Sequence, residues 1–409
     1  MNKISYCPVF TNDFKFNSFT INFLMPLSDE NATCSALLSQ VLKRGCCKYG
    51  EMDRIVSRLE ELYGASVTVS SDKLGENLSF TIQGYCMDDR FAVDNENILE
   101  SVLDLMADLL FHPMTENGMF RDDFFEQEKI NHADLIRSII NDKRVFSMMR
   151  CKEIMFEKSA YRFSSNGTLE YLEQISNASL YEFYRNMLQK SCVMITYIGR
   201  KVDLEGLTRK YFPDILSSCG SLAAPSQFVR PDRVREVCES YDVAQGKLCM
   251  GFRLTSAVDY FASRLFNVVF GGSPTSKLFM NVRERLSLCY YCSSIIDPYV
   301  NSMFISSGIE FENFEVAKGE IMHQLDDMKQ GNITAEEFEN GKLYLLDYIK
   351  GIKDSHGLML ANKLQNHLLG FEYTIDEQLQ KVAELELQDI VRVAKCIEPD
   401  TVYFLKGIE

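Results

Sequence analysis

Five histidines are the side chains with which this chain could hold a catalytic metal ion: His112, His132, His323, His356 and His367. The nearest two, His356 and His367, are eleven residues apart. No helix can therefore present two imidazoles one turn apart, and the zinc-peptidase motifs HExxH and HxxEH are both absent from the sequence. The pattern predicts ordinary surface or core histidines, and it predicts no metal and no other cofactor.

Two further motifs could support chemistry, and both are incomplete. Cys289 and Cys292 form a lone CxxC, without the second ligand pair of a structural zinc site. At positions i and i+3 of a strand, the two thiols are expected to point to opposite faces. The stretch 271–277, GGSPTSK, lacks the glycine that directly precedes the lysine in a phosphate-binding P-loop. It favours the beginning of a helix instead.

The composition limits the classes of partner. The 409 residues carry a formal net charge of −15, which disfavours nucleic acids and anionic membranes. No apolar run reaches the roughly 18 residues of a membrane span, and the first residues show no apolar signal region. Thirteen scattered cysteines are typical of a reducing compartment. The prediction is a cytoplasmic protein with no nucleic acid and no membrane among its partners.

The elements that must position any site occur twice along the chain. Each half is predicted to open with a strand, two helices and two strands, at about 19–23, 31–45, 51–63, 65–69 and 78–82 in the first half and at about 248–254, 258–271, 276–286, 289–292 and 303–306 in the second. This shared order predicts a duplicated architecture.

A stretch of small residues, glycine and proline without periodicity separates the two halves. It predicts a linker at 216–235, between an N-terminal domain at 1–215 and a C-terminal domain at 236–409. Each domain is expected to be α+β, with a mixed, mainly antiparallel sheet packed against helices.

The stretch 271–291, GGSPTSKLFMNVRERLSLCYY, resembles the second-domain signature of the pitrilysin/insulinase metallopeptidases. The stretch 44–49, RGCCKY, resembles the sequence that follows the zinc helix of that family. The resemblance covers nearly the whole chain. It implies two homologous domains of the pitrilysin-like fold, in a clamshell arrangement.

The resemblance also locates the positions of the zinc ligands. Counting back from the end of the first helix, the HxxEH positions of active members fall on Ala36, Ser39 and Gln40. Alanine has no lone pair, serine is too weak a base to activate water, and glutamine is a poor zinc ligand. The third ligand would fall near Leu135 if Glu128 is the anchor. The N-terminal domain is therefore expected to carry a degenerate zinc site, on the helix face opposite its apolar stripe.

One functional pair of the family is retained. Arg283 and Tyr290 lie seven residues apart, a spacing at which active members place an arginine and a tyrosine that contact the substrate backbone and the developing oxyanion. The resemblance implies that both residues bind substrate. From the spacing alone, a solvated helix residue and a tyrosine packed in a sheet remain the more common explanation.

Substrate-binding residues without a metal suggest a division of labour. The chain resembles a bacterial subgroup in which a member without zinc pairs with a zinc-bearing relative. It is therefore predicted to be a catalytically inactive subunit of a heterodimeric peptidase that encloses its peptide substrate in a shared chamber. The alternative is a non-enzymatic scaffold or binding protein, for which the subgroup implies a link to elongation factor P modification. An enzyme with an unrecognised site, such as Cys289 beside Tyr290, is a third alternative.

Overall fold

The computed structural model describes residues 4–93 and 96–408. The strands are β1 (Ser5–Phe10), β2 (Phe16–Pro26), β3 (Gly45–Cys46), β4 (Gly50–Glu51), β5 (Ser66–Leu74), β6 (Asn77–Met87), β7 (Thr115–Glu116), β8 (Met119–Phe120), β9 (Cys192–Gly199), β10 (Arg235–Tyr241), β11 (Gly246–Leu254), β12 (Cys289–Asp297), β13 (Ser302–Ile309) and β14 (Ile397–Gly407).

The α-helices are α1 (Asp29–Lys43), α2 (Met52–Glu61), α3 (Ile98–Phe111), α4 (Asp122–Ser138), α5 (Lys143–Met155), α6 (Leu169–Gln174), α7 (Asn177–Lys190), α8 (Leu204–Tyr211), α9 (Tyr260–Asn267), α10 (Phe314–Gln330), α11 (Ala335–Gly351), α12 (His356–Leu369), α13 (Ile375–Ala383) and α14 (Leu387–Lys395). Two π-helical segments follow α9, at Val268–Gly272 and Leu278–Arg285. Within the described ranges, no helix is both long and apolar enough to cross a membrane.

Two five-stranded sheets share one topology. The first has the strand order β1-β9-β2-β6-β5, and the second has the order β10-β14-β11-β13-β12. In each sheet the first strand pairs parallel to its neighbour, and the other pairs are antiparallel. The strand-for-strand match confirms both the α+β class and the duplicated architecture. The parallel edge strands β1 and β10 were not predicted, because the sequence of neither strand alternates clearly between apolar and polar residues.

The described residues group into two compact units. The first contains the residues up to Arg137 together with Phe163–Ala224, and the second contains Ser138–Arg162 together with the residues from Pro225 onward. The division between Ala224 and Pro225 lies inside the segment taken as a linker. The segment 138–162 belongs to the second unit, whereas the predicted N-terminal domain at 1–215 included it.

The reason for this difference lies in the second sheet, which is covered on both faces. Every residue of β11 except Lys247 is buried, a pattern of strands without a solvent face. In β11, every second residue belongs to the predicted apolar row. The residues between them lie on the other face of the sheet, toward α5. Gly251 makes this approach possible, because a Cβ atom there would lie 2.5 Å from the sulfur of Met155. Phe146 and Cys151 of α5 pack into the same cluster as Cys249.

A buried polar cluster holds the end of α5 to the second sheet. Arg253 is 9% exposed. Its Nε donates to Asp400 at 3.0 Å, and its Nη2 donates to the carbonyl of Met155 at 2.7 Å. The guanidinium also lies 4.0 Å from the centre of the Phe156 ring. Because a buried charge is tolerated only when paired and hydrogen-bonded, this cluster accounts for the place of the segment in the second unit.

Candidate functional site

Helix α1 carries the positions at which the resemblance places the zinc ligands, and its sequence suits a stable helix. Ser28 caps the N-terminus, where its side chain accepts from the backbone N–H of Asn31 at 3.0 Å. Asp29 and Glu30 lie in the first turn, and Lys43 lies in the last, so the charges favour the helix dipole at both ends. The scaffold of the zinc helix is thus complete.

The polar groups at the three degenerate positions on α1 form hydrogen bonds with one another. The hydroxyl of Ser39 donates to the carbonyl of Ala36 at 2.8 Å, and the side-chain amide of Gln40 donates to the Ser39 hydroxyl at 3.3 Å. The amide oxygen of Gln40 in turn lies 3.5 Å from the amine of Lys43. Ala36 is 6% exposed and Ser39 only 2%. The helix face opposite the apolar stripe is therefore packed rather than displayed.

The proposed anchor of the third ligand is also occupied. Glu128 of α4 is 7% exposed, and its carboxylate accepts from Arg44 at 3.2 Å and from Asn131 at 3.2 Å. Burial lowers the pKa of the nearby Lys43 amine, and the charge of Glu128 opposes that shift. Leu135, at the predicted position of the third ligand, is 45% exposed on α4. The guanidinium of Arg44 therefore lies beside the buried carboxylate of Glu128.

These residues do not fit the zinc ion that the family implies. Ala36 offers no ligand atom, the Ser39 hydroxyl is committed to a carbonyl, and Gln40 supplies an amide. Elsewhere in the described ranges, no group of three or more His, Cys, Asp or Glu residues is arranged to hold a metal. The donor chemistry of this position therefore offers no route to a metal-activated water.

The segment before α6 closes α1 from one side. Gly167 adopts φ +69°, and a Cβ atom there would lie 1.8 Å from the hydroxyl of Thr33. The hydroxyl of Thr168 donates to the carboxylate of Asp29 at 2.8 Å, and the Thr33 hydroxyl donates to the Asp29 carbonyl at 2.8 Å. Only glycine allows this backbone approach, so the packing around α1 extends to its first turn.

Arg283 lies in the π-helical segment Leu278–Arg285, with its side chain 41% exposed. Its guanidinium lies 4.5 Å from the centre of the Phe279 ring. Its Nε is 3.5 Å from the carboxylate of Glu284, which is itself half exposed. Such an exposed pair contributes little, so most of the guanidinium's donors remain available to a ligand.

Tyr290 is the extra residue of a β-bulge. Along β12, Cys289 lies opposite Ile309, Tyr291 opposite Gly308 and Cys292 opposite Ser307, so the register shifts by one at this tyrosine. The bulge turns Tyr290 outward, and the residue is 64% exposed. Its hydroxyl donates to Glu310 at 3.0 Å, and this hydrogen bond raises the pKa of Tyr290. The phenol therefore stays a neutral hydrogen-bond donor.

A tight turn brings the two residues to one corner of the second unit. The backbone N–H of Ser287 donates to the carbonyl of Arg283 at 3.0 Å, and that of Leu288 donates to the carbonyl of Val282 at 3.1 Å. Ser287 itself has φ +52°, a conformation that costs a non-glycine residue some strain. Arg283 and Tyr290 thus flank the same turn, each with an outward side chain.

The same bulge corrects the prediction for the cysteines. Because the partners of Cys289 and Cys292 are two residues apart on β13, both thiols point to one face, not to opposite faces. Both are buried, at 9% and 3% exposed. The Cys292 thiol hydrogen-bonds to Cys289 and, with nearby Arg283, lowers the pKa of Cys289. Within the described part of the chain, no histidine is paired with either thiol, so the general base of a cysteine enzyme is not provided.

The glycine-rich stretch 271–277 is buried at both ends and exposed at Pro274 and Thr275. The hydroxyl of Ser273 donates to the carbonyl of Val268 at 3.0 Å. Lys277 is 6% exposed and pairs with Glu337 at 2.9 Å. A lysine committed in this way is not free to bind a phosphate, and the stretch acts as a helix beginning.

One feature of the second unit was not predicted. A cavity of about 350 Å³ lies beside α9, between β12 and α11. Arg264 of α9 and Tyr348 of α11 line it. The sequence contains a weak signal for it, because Tyr260 with Arg264 and Tyr344 with Tyr348 each stand four residues apart, on one face of a helix.

Comparisons with known proteins agree with this picture. The family model "Peptidase M16 inactive domain" matches residues 174–345. The probable inactive metalloprotease YmfF of Bacillus subtilis (strain 168) is 32% identical over 407 residues, which cover 98% of this chain and 95% of that protein. The uncharacterized zinc protease YmxG of the same organism is 23% identical over 349 residues, or 80% of each chain.

A solved structure gives the same result in three dimensions. The crystal structure of a conserved protein from Enterococcus faecalis V583 superposes with a TM-score of 0.90 at 29% identity, covering 98% of this chain and 96% of that one. The identity of 32% to YmfF extends over nearly the whole length of both chains. The chain therefore belongs to the M16 (pitrilysin/insulinase) peptidase family and, as its matches to the inactive-domain model and to the probable inactive metalloprotease show, it is a non-catalytic homologue of the metallopeptidases in that family.

Proposed function

We propose that this chain is the non-catalytic subunit of a two-chain peptidase, in which it pairs with a zinc-bearing homologue and contributes Arg283 and Tyr290 to peptide binding. One observation carries the proposal. The corner at Arg283 and Tyr290 keeps two outward hydrogen-bond donors, while the positions for metal chemistry on α1 are filled by groups that satisfy one another.

The two side chains suit a peptide carbonyl. A guanidinium and a phenol are both donors, and each can stabilise an oxygen whose negative charge grows in the transition state. Phe279 holds the Arg283 guanidinium on one side by stacking. Glu310 accepts from the Tyr290 hydroxyl at 3.0 Å, so this phenol has to exchange that acceptor for the substrate.

The need for a partner follows from the missing chemistry on α1. Ser39 and Gln40 cannot activate water, so hydrolysis needs a metal ion held by another chain. The comparisons support such a pair, because Bacillus subtilis has both the relative named as inactive and a relative named as a zinc protease. Binding donors on one chain and metal ligands on the other would together form one reaction centre.

The test is reconstitution of the pair. The purified chain is mixed with the zinc-bearing homologue from its own genome, and cleavage of a quenched fluorescent peptide library is followed. Each chain alone is expected to show little activity, and the mixture a large gain. Arg283→Ala and Tyr290→Phe should each reduce the gain about 10- to 1,000-fold, because each removes a donor to the developing oxyanion.

Arg285→Ala is the matched control, because Arg285 is exposed on the same segment, two residues away. It should leave the gain intact. A stable complex that is formed without any gain in cleavage would favour the scaffold alternative. A full gain with the double variant Arg283→Ala/Tyr290→Phe would remove the substrate-binding role from this corner.

A further inference from the structure

The cavity beside α9 is large enough for a ligand. Its volume of about 350 Å³ lies within the range of small-molecule sites. The walls come from α9, β12, α11 and α12, all within the second unit. The cavity therefore belongs to a different unit from the degenerate positions on α1, which are part of the first unit.

Arg264 gives the cavity its charge. The guanidinium lies 5.7 Å from the centre of the Tyr260 ring and 5.4 Å from that of Tyr348. Among the partners that the structure describes for this side chain there are tyrosines and no carboxylate. In a chain of net charge −15, an arginine beside a cavity without an acidic partner is a local site for an anion.

The other walls of the cavity carry polar groups, such as Asn267 and Gln365, as well as apolar ones. Ile295 on β12 is 57% exposed, and Tyr344 and Tyr348 on α11 are 45% and 47% exposed; all three line the cavity, as does Pro298. The hydroxyl of Tyr260 donates to the side-chain oxygen of Gln365 at 2.9 Å, which fixes the tyrosine against α12. Large apolar and aromatic side chains around a single cation suit a ligand that is apolar at one end and anionic at the other.

We infer that this cavity binds an apolar carboxylate. The carboxylate pairs with the fork of donors on Arg264, and the apolar part packs against Ile295 and the ring of Tyr348. Two sources share this chemistry: the last residue of a peptide, and a small free carboxylic acid of similar size. The inference rests on the second unit alone and is independent of the proposed pairing with a zinc-bearing chain.

The sequence lacks tryptophan, so a tryptophan ligand reports its own binding by fluorescence. The probes are N-acetyl-Gly-Gly-Trp, its C-terminal amide, and N-acetyl-tryptophan, each titrated with the full chain at about 0.15 M salt. The acid peptide is expected to saturate, and its amide to bind at least about tenfold more weakly, because the amide loses the charge-assisted pair. Equal binding of acid and amide would overturn the inference.

Variants test whether the change in ligand fluorescence comes from binding in the cavity. Arg264→Leu should reduce binding of the acid about tenfold or more and remove the difference between acid and amide. Arg264→Lys should retain part of that difference, since the charge remains. Arg392→Leu, an exposed arginine of α14 paired with Asp389, is the matched control. Unchanged binding in Arg264→Leu would contradict the assignment.

Two further outcomes separate the sources and the sites. If N-acetyl-tryptophan binds as tightly as the peptide, the ligand is a small carboxylate; if it binds at least about tenfold more weakly, the ligand is a peptide C-terminus. Arg285→Ala, at an exposed arginine outside the cavity, should leave all three affinities unchanged. If it abolished binding instead, the carboxylate would belong to the segment Leu278–Arg285, and the cavity would lose its ligand.

Discussion

The first helix after the long strand of each sheet has opposite surroundings in the two units. On α1, Ala36 and Ser39 are nearly fully buried, and the polar groups there satisfy one another. On α9, Ser263 is also buried, but Arg264 lines an open cavity, and the described contacts of the arginine include no carboxylate. One architecture therefore carries a closed position in one unit and an open position in the other.

The difference shows what makes a position on this scaffold functional. Strand order and helix placement repeat between the units, so the fold alone does not decide the chemistry. Beside α1, the charge of Glu128 is met by Arg44 of the same chain. Beside α9, the charge of Arg264 has no acidic counterpart in its described surroundings. A charged group that pairs with an opposite charge of the same chain has no need of a ligand. A charged group without such a partner can bind one.

The most severe test of the closed position is Gly167→Ala. A Cβ atom there would lie 1.8 Å from the Thr33 hydroxyl, at φ +69°. The positive φ costs about 1–2 kcal/mol, and displacement of the hydrogen-bonded Thr33 adds about 1 kcal/mol or more. We expect a loss of roughly 3 kcal/mol in the free energy of unfolding, measured by urea denaturation followed by circular dichroism.

Gly319→Ala is the control for this prediction. Gly319 lies within α10, and a Cβ atom there meets nothing within 4 Å. The same change should stabilise the protein by about 0.5–1 kcal/mol, since alanine loses less backbone entropy in a helix. If both variants changed the stability by similar small amounts, the close packing at the first turn of α1 would be disproved.

A second test places the same bulky side chain on both helices. Ala36→His should cost about 2 kcal/mol, because overpacking of a filled site forces its neighbours to move. Ser263→His, on α9, should cost less than Ala36→His, because Ser263, although only 4% exposed, lines the cavity, into which a longer side chain can extend. The urea midpoint of each variant is compared with that of the parent protein. Equal costs would mean that α9 is packed as tightly as α1.

The sequence predicted the elements better than their surroundings. β2, α1, α2, β5 and β6 all occur where hydrophobic periodicity and helix-ending residues placed them, because these signals are local. Spacing and resemblance predict a substrate-binding role for Arg283 and Tyr290. The bulge that exposes Tyr290 could not be predicted, because a register shift depends on the partner strand β13.

Long-range packing set the limits of prediction in three places. The segment 138–162 joined the second unit because α5 covers the second face of β11, and no local pattern indicates which sheet a helix will cover. The face of α1 with Ser39 was placed opposite the apolar stripe, and the sequence did not indicate that Ala36 and Ser39 would be buried there. The cavity beside α9 is defined by space that four separate elements leave unfilled.

A pH titration tests the closed packing of the first unit through His132. This residue is 2% exposed, its Nε2 lies 2.9 Å from the carbonyl of Asn166, and its Nδ1 has no partner among the described residues. Burial lowers the pKa of His132, so below about pH 6.5 the unfolded chain binds a proton that the folded chain resists. Stability should therefore fall on acidification, by up to about 1.4 kcal/mol per pH unit.

His132→Gln should remove this contribution while keeping a donor toward Asn166. Urea midpoints of the variant and the parent are measured at about pH 7.5, 6.5 and 5.5. The result is the change with pH in the difference between the two midpoints. His323→Gln is the control, because the His323 side chain is 64% exposed on α10. A slope that is the same in the parent and in His132→Gln would show that the imidazole is accessible to protons, contrary to a closed site.

The smallest expected effects concern two arginines, each beside an aromatic ring. Arg44 lies 5.1 Å from the ring of Phe124 and pairs with the buried Glu128 at 3.2 Å. Arg44→Leu removes the cation from a carboxylate that water cannot easily reach, so we expect a loss of about 1–2 kcal/mol by urea denaturation. Arg264→Leu gives up ring contacts and a hydrogen bond to the uncharged hydroxyl of Tyr260, at less than about 1 kcal/mol.

The salt dependence makes this last comparison sharper. Because an ion pair is screened by salt and a ring contact much less so, about 1 M NaCl should reduce the cost of Arg44→Leu and leave that of Arg264→Leu unchanged. If the cost of Arg264→Leu instead equalled or exceeded that of Arg44→Leu and fell with salt, Arg264 would have an acidic partner within the chain. The guanidinium beside the cavity would then be committed to the fold, and its charge would not be available to a ligand.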